Sequence, residues 1–127
     1  MPVSDETVLE AAMAIATISG LEMDPDDLLE DAFLLARSFP EEDEFMAATA
    51  ATVRAIGNLA GRRVTSARLK YAFEGWLSYH YQHRVSQGGS ADCRIVFRET
   101  EGGVEVKAFG HRRVPADIYE RMATSRQ

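Results

Sequence analysis

The sequence predicts an α+β protein, helical over roughly its first 75 residues and completed by a three-stranded antiparallel sheet and a short terminal helix. Two observations carry that expectation. Apolar residues recur at helical spacing as far as Leu77, after which the period switches to alternation. The alternating segments are then separated by SQGGSAD and ETEGG, both rich in turn residues.

Ser4 is placed to cap a first helix with Asp5 and Glu6 in its first turn, and Val8, Leu9, Ala12, Met13, Ala16 and Ile18 give it an apolar stripe as far as Gly20. Asp24 followed by Pro25 marks a second start, with Leu28, Leu29, Ala32, Phe33, Leu35 and Ala36 continuing to Phe39-Pro40. Pro40 opens a third helix with the stripe Phe45, Met46, Thr49, Val53, Ile56 and Leu59, closed by Gly61. TSARLKYAFEGWL reads as a shorter fourth helix capped by Thr65 or Ser66. LSYHYQHRV is the first strand. CRIVFR, the second, turns Cys93, Ile95 and Phe97 to one face and Arg94, Val96 and Arg98 to the other; VEVKAF returns as its partner. Residues 1–62 form an acidic helical region and residues 63–127 a helix plus sheet, expected to share one compact domain.

A chain of 127 residues with 46% hydrophobic composition can bury a core without covalent staples. Cys93 stands alone, so no internal disulfide forms, and a reducing cytoplasm is the expected location. The longest apolar runs fall short of the about 20 residues that span a bilayer, which argues against a membrane partner. His80, His83, Cys93 and His111 lack metal-ligand spacing, so neither metal nor cofactor is expected.

The net charge of −6 conceals two opposed halves. Residues 1–50 carry thirteen acidic residues against Arg37 alone, whereas residues 51–127 carry seven acidic and thirteen basic ones. Such asymmetry points to a nucleic-acid-facing half joined to an acidic half that masks it or meets a partner. It is equally what solvated helix faces produce.

CRIVFRETEGGVEVKAFGHRRVPADIYERM, preceded by LSYHYQHRV, resembles the C-terminal part of the RelE/ParE superfamily of toxin–antitoxin proteins over about residues 77–122. The shared features are an arginine-bearing strand, a tight acidic turn, a second strand, a glycine, a basic cluster and a tyrosine in a last helix. The resemblance implies helices packed on a curved antiparallel sheet, and either messenger-RNA cleavage or, in the ParE branch, poisoning of gyrase. It implies roles for Arg94, Arg112 and Tyr119, and places His80, His83 and Arg84 where the family carries further basic residues. RNA or the ribosome and a cognate antitoxin are the partners it implies. Three features depart from the family: no strand is evident ahead of the helices, the acidic helical region exceeds the usual helical pair, and Tyr119 stands nine residues after Gly110.

The residue types suit that chemistry. Metal-free RNA cleavage needs a base for the 2′-hydroxyl, cations for the phosphorane and an acid for the departing 5′-oxygen. Arg94, Arg112, Tyr119 and a histidine, His111 or His83 or His80, would fill those roles. His80, Tyr81, Arg84, Arg98, Lys107 and Arg113 would hold the RNA, with Trp76, Tyr79 and Tyr81 available for stacking on unpaired bases. On this reading Arg94, Arg112 and at least one histidine share one solvent-accessible face. Each residue also has an ordinary structural role: a solvated strand arginine, a packed helix tyrosine, a core aromatic. The alternative function is a non-catalytic inhibitor, antitoxin-like or immunity-like module that docks a basic partner through Asp26, Asp27, Glu41, Glu42, Asp43 and Glu44.

Overall fold

The computed structural model describes residues 3–63, 75–111 and 126, and the backbone of residues 69–73. The first three helices form where capping chemistry places them. In α1 (Asp5–Ala16) the Ser4 side chain accepts from the Thr7 N–H at 3.2 Å. In α2 (Pro25–Ser38) the Asp24 carboxylate accepts from the Asp26 and Asp27 N–H groups, while Pro25 occupies the first turn, where its missing N–H costs nothing. In α3 (Glu42–Ala60) Glu42, Asp43 and Glu44 sit against the positive end of the helix dipole.

The α+β class holds, but the sheet is larger than the sequence predicts and is mixed. Five strands, β1 (Leu21–Glu22), β2 (Leu69–Phe73), β3 (Trp76–Tyr81), β4 (Cys93–Thr100) and β5 (Gly103–His111), lie in the order β1-β5-β4-β3-β2. β1 runs parallel to β5, Leu21 opposite Val104, and the other pairings are antiparallel. The described part of the expected fourth helix is therefore β2 and the start of β3. Leu69, Tyr71 and Phe73 alternate, and aromatic residues fit a pleated surface better than a helix. Thr65, Ser66 and the terminal segment with Arg112, Arg113 and Tyr119 lie outside the described residues.

One face of the sheet packs on the helices. Ile95, Phe97, Val104, Val106 and Phe109 join Val8, Ile15, Leu35, Phe45 and Ile56 in a single buried cluster, each large side chain contributing about 1.5–3 kcal/mol by leaving water. Strand register puts Trp76, Ser78, His80, Arg94, Val96 and Arg98 on the opposite, outer face, as alternation predicts for Arg94, Val96 and Arg98. A bulge between Val96 and Phe97 breaks the β4–β5 register, so that Ala108 faces Val96 while Val106 faces Phe97. Ser78, Val96 and Ala108 are fully buried on that outer side.

Two further buried connections tie strands to helices. The Asp31 carboxylate, fully buried on α2, accepts from the Phe109 N–H at 3.0 Å and from both terminal nitrogens of Arg126, at 2.8 and 2.7 Å. Burial alone would lower the Arg126 pKa; hydrogen bonding to Asp31 and its charge more than offset that and hold it above the usual arginine value. On α3, the Thr52 hydroxyl donates to the Ala48 carbonyl, leaving its oxygen to accept from the buried hydroxyl of Tyr81 on β3 at 2.7 Å.

Candidate functional site

Alternation along β3 decides which predicted residues meet. His80 stands directly opposite Arg94 across β3–β4, and Arg94 stands opposite Gly110 across β4–β5, so His80 and Arg94 share the outer face beside a glycine one residue before the end of β5. Gly110 has φ 138°, a conformation side-chain-bearing residues rarely adopt, and it adds no bulk next to Arg94. Further along the same face, Arg98 lies 4.6 Å from the Trp76 ring centre and Lys107 5.5 Å from it, with Glu105 binding the Arg98 guanidinium at 2.8 Å. Of the residues expected to touch RNA, His80, Arg94, Arg98 and Lys107 thus share one face, but Arg98 is exposed there whereas His80 and Arg94 are half-buried, with the His80 Nε2 and Arg94 Nε atoms out of reach of solvent.

The remaining described candidates do not share it. Tyr81 points into the helix-side core, 7% exposed, and burial pushes its hydroxyl pKa well above 10, so it offers no base platform. His111 pairs with Cys93 on the helix side, its ring 5.8 Å from that of Phe39. His83, just past the end of β3, packs at 4.4 Å on the same Phe39 ring. One His83 ring nitrogen meets Asp92 at 2.5 Å and the other meets Glu44 at 2.6 Å; Arg84 donates to the second Glu44 oxygen at 3.0 Å. His83 and His111 therefore do not converge with Arg94. Period-two alternation separates His80 from Tyr81, and the turn after β3 carries His83 and Arg84 to the helices, which treating LSYHYQHRV as one basic strand overlooks.

Of the acids expected to mask the predicted site, Glu44 does meet two of its members, His83 and Arg84, while Arg112 and Arg113 lie outside the described residues. Asp27, Glu30 and Asp31 engage Arg126. Asp26, Glu41, Glu42 and Asp43 are exposed. Because the helices pack on the face that carries Ile95 and Phe97, none of these acids lies over Arg94 or Arg98.

The Glu44 pairing has a pH signature. The hydrogen bond from His83, aided by Arg84 and opposed by desolvation, holds the Glu44 carboxyl below its ordinary 4.5. A depressed carboxylate pKa contributes stability above the ordinary value and loses it as pH falls through the folded-state value. Thermal melts of Glu44→Gln and the parent chain should therefore differ at neutral pH and approach each other on acidification below about 4.5.

Two features of the helix side have no sequence signal. One is the Asp31–Arg126 pair, separated by 95 positions. The other is a groove of about 560 Å³ between α3, β3 and the loop 82–91. Among the described residues, no helix is long and apolar enough to cross a membrane. No family model, curated protein or solved structure matches the chain.

Proposed function

We propose that the chain is a toxin–antitoxin-related protein of RelE/ParE type that cleaves messenger RNA on the outer face of its sheet, away from the acidic helices. The observation that carries this reading is the placement of His80 directly opposite Arg94, beside Gly110, on one face. The element order adds support: β1 precedes α2 and α3, which lead into the remaining strands, supplying the strand ahead of a helical pair that the sequence does not reveal. α1 is then an addition to that frame.

The chemistry assigns each group a step. His80 takes the 2′-hydroxyl proton as the 2′-oxygen attacks phosphorus, and Arg94 stabilises the charge on the phosphorane oxygens through paired donors. The 5′-oxygen departs with a proton, leaving a 2′,3′-cyclic phosphate and a 5′-hydroxyl end. Arg112 and Tyr119, which the resemblance assigns to charge stabilisation and proton donation, complete the proposed set. Trp76 supplies an aromatic surface for an unpaired base, with Arg98 and Lys107 near the backbone phosphates.

Inducing the chain in a bacterial host should arrest growth and produce messages with 5′-hydroxyl ends. Arg94→Ala should reduce cleavage by about a hundredfold or more, the usual effect of losing a transition-state charge donor. Arg94→Lys, which keeps the charge but loses the planar fork, should restore little of it. Intact RNA during arrest would instead indicate a protein target.

A second reading is favoured by a separate observation. Of the thirteen acidic residues in positions 1–50, ten are exposed, and Leu9, Met13, Leu29 and Met46 are exposed on α1, α2 and α3. That composition suits docking of a basic partner, with the sheet as scaffold. A cationic peptide bound by the parent chain and lost on Glu41→Gln/Glu42→Gln/Asp43→Asn, with no RNA cleavage at any stage, would select it.

A further inference from the structure

The groove between α3, β3 and the loop 82–91 lies on the helix side of the sheet, apart from the proposed RNA-cleaving face. Its volume of about 560 Å³ is within the range of small-molecule sites. Its walls are held in place. The Gln82 side-chain amide donates to the carbonyls of Ser86 and Gly89 and its oxygen accepts from the Ser86 N–H, while His83 and Asp92 fasten the base of the loop. Behind it, Tyr81 is fixed by Thr52.

The lining is chemically selective. Among the described residues it contains Arg54 and no carboxylate, in a chain of net charge −6. Arg62, Arg63, Arg84, Arg98 and Arg126 all bind carboxylate or carbonyl oxygens. Arg54 is exposed and makes no hydrogen bond or ion pair among the described residues, so its planar fork is available to an anion. Tyr79 is half-buried in the wall, its ring near-parallel to that of Tyr81 at 6.2 Å, and its hydroxyl likewise has no partner among the described residues. Asn58, one turn after Arg54 on α3, adds an amide to the same wall.

We propose that this groove is a binding site for a small anion bearing a planar ring, with the anionic group held by Arg54 and the ring laid against Tyr79. The anion is a phosphate or a carboxylate, and the ring separates this ligand from a simple inorganic ion. The proposal is independent of RNA cleavage, because the groove and the His80–Arg94 pair lie on opposite sides of the sheet.

Titration of the full chain with 5′-AMP and with 1-naphthoate, followed by amide chemical shifts, tests it. At least one of the two should saturate below about 10 mM, above which a specific small-ligand site is no longer implied. Saturation by AMP alone identifies a phosphate ligand and saturation by naphthoate alone a carboxylate. Shifts should centre on Arg54, Asn58, Tyr79 and Ser86. Arg54→Gln, an exposed substitution, should weaken binding about tenfold through loss of a charge-assisted bond. Tyr79→Leu, verified as folded by its melting curve, should weaken it as well. Absence of saturation by both probes, unchanged affinity in Arg54→Gln, inorganic phosphate binding as tightly as AMP, or shifts centred on His80 and Arg94 would overturn the proposal.

Discussion

Asp31→Ala should destabilise the protein by about 3–5 kcal/mol, the largest loss expected of any single substitution considered, because it removes one partner of a buried ion pair. The carboxylate joins three parts of the chain: α2, which carries it, the Phe109 N–H of β5, and Arg126. Without it the Arg126 guanidinium, whose side chain is 1% exposed, keeps Glu30 and Asp27 as its acidic partners among the described residues, and the Phe109 N–H loses this acceptor. Both effects act in the same direction. Asp31→Asn should fall between parent and alanine variant, since an amide oxygen can still accept from Phe109 but cannot neutralise Arg126. The double variant Asp31→Ala/Arg126→Met should be more stable than Asp31→Ala, because the unpaired buried cation is gone. Urea unfolding of the three variants measures this, and a double variant no better than the single would show that the pair does not act as a unit.

Gly103→Ala should cost about 1–3 kcal/mol by overpacking, large for the addition of one methyl group. A Cβ at Gly103 would fall within contact distance of the Gly20 carbonyl, and that atom is backbone, which no side-chain rotation can move aside. The same carbonyl accepts from the Val104 N–H at 2.8 Å, at the start of the parallel β1–β5 pairing. On the other side of the turn, the Arg62 guanidinium donates to the carbonyls of Gly103 and Thr100. Displacing Gly103 therefore disturbs β1 and the β4–β5 turn together. Hydrogen exchange should accelerate at Val104 before it does at Ile95 in the middle of β4.

Local signals found most of the fold, and non-local ones account for what they missed. Ser4, Asp24 and the acidic first turn of α3 locate three helix starts to within two residues, because capping is decided by adjacent atoms. The alternation of Cys93, Ile95 and Phe97 against Arg94 and Arg98 locates β4 and its two faces. β1 gives no sequence signal because two residues carry no periodicity, and its strand character comes from pairing with residues 104 and 105. β2 reads as a helix in the sequence because Leu69, Tyr71, Phe73 and Leu77 fit either period over so short a window; pairing with β3 decides between them. The site divides in the same way. Alternation puts Arg94 on the polar face of β4, but the β3–β4 register that sets His80 opposite it, like the turn that carries His83 to Glu44, 39 positions away, leaves no mark in the sequence.

Whether the outer face of the sheet meets RNA, as proposed, is tested most directly by the chemical-shift footprint of a short single-stranded RNA with 2′-O-methyl riboses, which a ribonuclease of this kind could hold but not cut. The predicted footprint covers Trp76, His80, Arg94, Arg98 and Lys107, and weakens with added salt as phosphate contacts do. A footprint on α1–α3, or none at all under conditions where a polylysine peptide shifts Glu41, Glu42 and Asp43, would contradict it and leave the acidic helices as the working surface.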